Sequence, residues 1–105
     1  MRALKAFHKW WIRQLWRGIK ELEEKGLDVQ WAKERLQGRG LYKDLGQLYS
    51  LDSELATLRL LSKLYDGSEI RCSDRVDFIV DDGKLGFEVW RPNPPKLWQA
   101  LSRIL

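Results

Sequence analysis

The chain has 105 residues, of which 44% are hydrophobic and 32% charged, and its formal net charge is +4. This length and composition are typical of one soluble globular domain with a modest core. No stretch approaches the roughly 20 apolar residues that a membrane-spanning helix needs, and the basic N-terminus lacks the features of a signal peptide. The single cysteine, Cys72, excludes an internal disulfide. We expect Cys72 in a buried strand and the protein in the reducing cytoplasm.

The charges are unevenly distributed along the chain. Residues 1–50 contain 11 Lys or Arg against 6 Asp or Glu, whereas residues 51–105 contain 8 against 9. The first 20 residues hold six basic side chains and no acidic one. A basic segment of this kind indicates a polyanionic partner, most commonly nucleic acid. Solubility alone also explains a net charge of this size.

Helical periodicity dominates the N-terminal half. Apolar residues recur three and four positions apart over residues 3–25, which predicts a first helix that stops at Gly26. Asp28 is suited to cap a short second helix over residues 29–37. Residues 41–49 fit either a turn or a weak helix.

The C-terminal half changes period from helix to strand. A third helix is predicted over about residues 52–65. Alternating patterns then predict three strands and a Pro-led last helix, at residues 69–73, 76–80, 84–90 and 95–104. The order of these elements predicts an α+β fold.

Three carboxylates stand at unexpected positions. Asp77 and Glu88 interrupt the apolar runs of the last two strands, and Glu54 lies on the apolar stripe of the third helix. A buried carboxylate is costly unless it is paired or bound to metal, and three inward-facing acids suit Mg²⁺ or Mn²⁺. Each acid also has an ordinary interpretation. Asp77 could pair with Arg71 or Arg75, Glu88 could be an exposed strand residue, and Glu54 could be an acid in the first turn of a helix.

The segment over residues 50–105, with the runs SDRVDFIV and KLGFEVW, resembles the PD-(D/E)xK nuclease superfamily, in particular its archaeal Holliday-junction resolvase and restriction-endonuclease-like branch. The resemblance implies N-terminal helices followed by a helix–three-strand–helix, restriction-endonuclease-like core. It further implies a metal-dependent DNA endonuclease of the Holliday-junction resolvase-like type. Glu54, Asp77 and Glu88 match the family's catalytic metal ligands, for Mg²⁺ or Mn²⁺. Gln99 is then a candidate contact to phosphate or water.

Two positions depart from the family pattern. Val76 stands in place of a Pro, and Trp90 stands where the family has its Lys. Because the indole of Trp offers only one hydrogen-bond donor and no charge, another cation would have to substitute, and the candidates are Lys96, Lys63 and Lys84. Without a substitute, the alternative is a catalytically impaired nuclease-fold protein that acts as a nucleic-acid-binding or assembly subunit. A third interpretation is a helical protein-interaction module with a structural hairpin.

The sequence thus predicts a basic, Trp-rich helical region at residues 1–49 and a nuclease-like α/β core at residues 50–105, within one compact domain. The candidate nucleic-acid contacts, with DNA favoured over RNA, are Arg13, Arg17, Arg71 and Arg75. The broad Trp-rich stripe of the first helix predicts a homodimer. Packing in the core is a competing explanation for this stripe, and so is binding to an anionic membrane surface.

Overall fold

The structure, a computed structural model, describes residues 2–38, 45–66, 70–72, 77–80, 84–89 and 96–104. The described part contains helices and a three-stranded antiparallel sheet, so the predicted α+β class is confirmed. In chain order the elements are α1 (Arg2–Glu24), α2 (Gln30–Gln37), α3 (Leu45–Leu64), β1 (Arg71–Cys72), β2 (Phe78–Val80), β3 (Leu85–Phe87) and α4 (Lys96–Ser102).

α1 forms where the periodicity predicts it, because its apolar residues fall on one face of the helix. Its end at Gly26 is confirmed. Gly26 has φ 85°, a left-handed conformation that glycine adopts without the penalty of a Cβ. The N–H of Leu27 donates to the carbonyl of Leu22 at 3.1 Å, and that of Gly26 donates to Glu23 at 2.9 Å. This pair of bonds is the Schellman arrangement, which satisfies carbonyls at the end of the helix.

α2 is short and is anchored at its start by Asp28. The Asp28 carboxylate accepts the backbone N–H of Gln30 at 3.2 Å, and the Asp28 carbonyl accepts Nε1–H of Trp31 at 3.0 Å. Trp31 is half-buried and meets Phe78 edge-on, with 5.7 Å between ring centroids. α2 therefore packs against the sheet through this aromatic contact.

α3 is the central helix and packs against α1, α2 and α4. It begins at Leu45, earlier than the predicted start at residue 52, because Leu45, Leu48 and Leu51 continue the apolar spacing into the core. The backbone N–H of Leu45, one of the unpaired donors at a helix start, donates to Oγ of Ser102 in α4 at 2.9 Å. The predicted division after residue 49 thus falls inside α3.

The sheet is a meander in the order β1-β2-β3, with Phe78 opposite Phe87 and Val80 opposite Leu85. Phe78 and Val80 are buried, as the alternation predicts, whereas Leu85 of the edge strand is 45% exposed. The prediction that Cys72 is buried is wrong, since this residue belongs to a two-residue edge strand and is exposed.

The predictions for Arg75, Val76, the turn at 81–83 and Trp90 fall outside the described residues.

Buried side chains from α1 through β2 form a single hydrophobic cluster, to which Trp98 of α4 adds a partly buried ring. None of the described helices combines the length and the apolar character that crossing a membrane requires.

Candidate nucleic-acid interface

Glu54 is buried, as its place on the apolar stripe predicts, with 7% of its surface exposed. Its carboxylate forms an ion pair with the guanidinium of Arg35, which α2 places against α3. The interpretation of Glu54 as a first-turn acid is wrong because α3 begins at Leu45 and Glu54 lies in the middle of the helix. An ion pair of this kind offsets the cost of burying a carboxylate.

Asp77 and Glu88 come together across the β2–β3 hairpin. The register pairs Phe78 with Phe87, and continued by one residue it sets Asp77 opposite Glu88. Oδ2 of the half-buried Asp77 accepts the backbone N–H of Val89 at 2.6 Å, so this carboxylate fastens the open end of the hairpin. Glu88 is exposed to solvent.

The three acids do not form one set of metal ligands. Among the described residues, which include Glu54, Asp77 and Glu88, no group of three or more His, Cys, Asp or Glu side chains is placed to hold a metal ion. The carboxylate of Glu54 faces Arg35, and that of Asp77 faces a backbone amide. We therefore derive no reaction step through Mg²⁺ or Mn²⁺ from this arrangement.

The candidate substitutes for the family's Lys all lie at the surface. Lys63 is in the last turn of α3, Lys84 precedes β3 and Lys96 opens α4, and each is exposed. Arg71 of β1 is exposed as well, and Gln99 lies on α4.

One side of α1 carries a run of exposed basic side chains, and we call it the basic face. Its side chains recur three or four positions apart, all are exposed, and they are Arg2, Lys5, Lys9, Arg13, Arg17 and Lys20. At 3.6 residues per turn and 1.5 Å per residue they occupy an arc of about 120° over roughly 27 Å. The acidic residues of α1 come after this run, in the last turn of the helix, and they are Glu21, Glu23 and Glu24.

A groove of about 500 Å³ adjoins the basic face where α1 meets α2. Arg17, Lys20 and Lys33 contribute its cations, and Lys33 is paired with Glu23. The indole of Trp16, which is half-buried, forms part of the wall. The groove thus has Arg17 and Lys20 of α1 on one side and the paired Lys33 of α2 on the other, beside an aromatic side chain.

Comparison of the chain with protein-family models, with curated proteins and with solved structures gives no match. The resemblance to PD-(D/E)xK nucleases stays a prediction that depends on the motifs themselves.

Sequence reasoning missed Arg35, the partner of Glu54. A signal for it was present, because Arg35 follows Trp31 by four residues and therefore shares the inward side of a short helix. Sequence reasoning also missed Arg59. The signal for it was Gly18 in the interior of α1, where glycine costs about 1 kcal/mol relative to alanine. The structure brings the guanidinium of Arg59 close to Gly18.

Proposed function

We propose that the protein binds nucleic acid, with DNA as the favoured form, through the basic face of α1. The observation that carries this proposal is that all six cations of the first 20 residues are exposed on one side of a single helix. A run of roughly 27 Å corresponds to about eight base pairs at ~3.4 Å of rise each. Several phosphates within that length would therefore lie within reach of these cations.

The burial of α1 favours nucleic acid over a membrane surface. An interfacial amphipathic helix must insert its apolar face among lipids. In this protein that face packs into the core, with Leu15, Ile19 and Leu22 at most 4% exposed. The exposed side offers six cations for phosphate, and its exposed large apolar residues are Phe7 and Trp10.

Charge reversal tests the proposal. Arg13→Glu/Arg17→Glu inverts the centre of the basic face, and Lys25→Glu/Arg103→Glu is a matched control that loses the same net charge at exposed sites elsewhere. We expect the first variant to lose at least about tenfold in affinity for labelled DNA at about 50 mM salt, because phosphate contacts dominate such binding. The control should lose much less. Equal losses would show that net charge, and not the basic face, governs binding.

Metal-dependent cleavage by a restriction-endonuclease-like core is a second candidate. The observation in its favour is the placement of Asp77 opposite Glu88 across the hairpin. The test is cleavage of labelled branched and linear DNA with Mg²⁺ and Mn²⁺, with Asp77→Ala as the control and Trp90→Lys as a variant that supplies the family's cation. A bound ion at a hundredfold excess over its Kd would stabilise the fold by about 2.7 kcal/mol. If no variant cleaves DNA, and if Mg²⁺ and Mn²⁺ leave the Tm of the protein unchanged, nucleic-acid binding remains as the function.

We also propose that the protein is cytoplasmic and forms a homodimer. Phe7 of α1 is 37% exposed and Leu97 of α4 is 63% exposed. The ring of Phe7 stacks on that of Trp98, with 6.0 Å between the centroids, and Leu97 precedes Trp98 in the sequence. An apolar group at the surface suits a subunit contact. Light scattering at tens of micromolar protein tests this, and a monomeric mass would exclude the dimer.

A further inference from the structure

A pocket of about 330 Å³ lies between α1 and α3, on the other side of Arg17 from the α1–α2 groove. Its volume is within the range of small-ligand sites. The lining combines an aromatic wall, two guanidinium groups and two carboxylates. We call it the α1–α3 pocket.

Trp10 and Trp11 both line the pocket, and the exposed aromatic ring is that of Trp10. Its indole is 50% exposed, although it stacks at 6.0 Å on Phe7. Trp11, beside it in the sequence, is 8% exposed and belongs to the core. Trp10 thus presents to the pocket a ring surface that core packing does not use. Stacking of an unpaired base on an exposed aromatic ring is a common mode of recognition for single strands.

Arg17 and Arg59 supply the positive charge, from α1 and α3 respectively. The guanidinium of Arg59 reaches over the backbone of Gly18, where an added Cβ would lie 3.1 Å from its Nη2. The glycine therefore leaves room for this side chain at the floor of the pocket. Two guanidinium groups that line one pocket suit a phosphate, which Arg binds with its planar array of donors.

Asp52 and Glu21 supply hydrogen-bond acceptors. Nε1–H of Trp11 donates to Oδ2 of Asp52 at 3.2 Å, which orients this carboxylate at the edge of the pocket. Carboxylates accept hydrogen bonds from base amino groups, such as N4 of cytosine. A ligand of only negative charge would meet repulsion here, whereas a nucleotide presents donors on its base and charge on its phosphate.

We propose that the α1–α3 pocket holds one unpaired base of a single-stranded nucleic acid. The base stacks on Trp10 and turns its amino edge toward Asp52 or Glu21, and Arg17 and Arg59 hold the flanking phosphate. This inference rests on the proposed function and adds to it a preference for single strands. Arg17 belongs to both the basic face and the pocket, so the bound backbone continues from one to the other.

The test compares single-stranded and duplex DNA of about 20 nucleotides by fluorescence anisotropy. Trp10→Ala should weaken single-strand binding by about 5- to 150-fold, the range for loss of one stacked base, and should leave duplex binding unchanged. Arg59→Gln should weaken single-strand binding as well, without loss of an aromatic ring. Leu64→Ala, at a side chain of α3 that is 68% exposed and outside the pocket, is the control and should change neither. Oligo(dC) should bind more tightly than oligo(dT), because thymine has no amino group.

Unchanged single-strand affinity in both Trp10→Ala and Arg59→Gln would overturn the pocket, and so would equal losses on single strands and duplex. Circular dichroism of each variant identifies any loss that comes from unfolding, and Arg59→Gln decides the matter if Trp10→Ala unfolds. A Trp10→Ala variant that changes only the oligomeric mass would assign Trp10 to a subunit contact and also overturn the proposal. The proposed function fails separately, if Arg13→Glu/Arg17→Glu binds both forms of DNA as tightly as wild type.

Discussion

The ion pair between Arg35 and Glu54 gives the sharpest prediction for the fold. The side chain of Glu54 is 9% exposed and that of Arg35 is 31% exposed. Removal of one partner from a buried pair leaves a charge in the interior and costs about 3–5 kcal/mol. Because Arg35 reaches solvent, we expect Arg35→Met to cost about 3 kcal/mol, at the lower end of this range.

The expected loss translates into a large shift in Tm. An unfolding entropy of about 2.1 cal/mol/K per residue gives roughly 0.22 kcal/mol/K for a chain of this length, so the Tm should fall by about 14 °C. The double variant Arg35→Met/Glu54→Leu replaces both charges with apolar groups and should recover most of the stability. A double-mutant cycle that also includes the single variant Glu54→Leu measures the coupling of the two side chains.

Urea unfolding followed by circular dichroism measures these free energies. The matched control is Lys33→Met, which breaks the pair between Lys33 and Glu23 at the surface, where the two side chains are 28% and 51% exposed. Exposed pairs contribute about 0–1 kcal/mol, so the control should be nearly neutral. A cost below about 1 kcal/mol for Arg35→Met would refute the assignment of Arg35 as the group that neutralises Glu54.

Two further predictions concern α1. Burial lowers the pKa of His8 below its ordinary 6.5, so the unfolded chain takes up a proton first. The free energy of unfolding should fall as the pH drops through 6.5 and should level off below the folded-state pKa. His8→Leu should reduce this dependence in urea titrations at pH 7.5 and 5.5, and an identical pH dependence in the variant would contradict it. Gly26→Ala should destabilise the protein by about 1–2 kcal/mol, because φ is positive there; an unchanged urea midpoint would show that the end of the helix tolerates a side chain.

Local features predicted from the sequence agree best with the structure. The end of α1 at Gly26 follows from the conformational freedom of glycine, and the burial of Glu54 follows from helical spacing. The early start of α3 was not predicted, since residues 41–49 have weak local helix signals and packing of Leu45 and Leu48 decides the matter. Tertiary packing of this kind overrides local propensity.

The candidate sites depend on contacts between segments that are distant in the sequence, and the spacing of residues along the chain does not specify such contacts. Arg35 meets Glu54 only because α2 packs on α3, and Arg59 meets Gly18 only because α1 packs on α3. The three acids were predicted to face one ion, but Glu54 forms an ion pair with Arg35 of α2. The basic face needed only the period of one helix, and it was predictable to that extent.

The salt dependence of DNA affinity tests the central proposal most directly. If six cations of the basic face each contact a phosphate, log K for single-stranded DNA should fall linearly with log[salt], with a slope of about −4 at ~0.7 per contact. Arg13→Gln/Arg17→Gln should reduce the magnitude of this slope by about 1.4. Anisotropy titrations from about 50 to 200 mM salt would measure both values. A slope near zero, or the same slope in the variant and the wild type, would contradict nucleic-acid binding through α1.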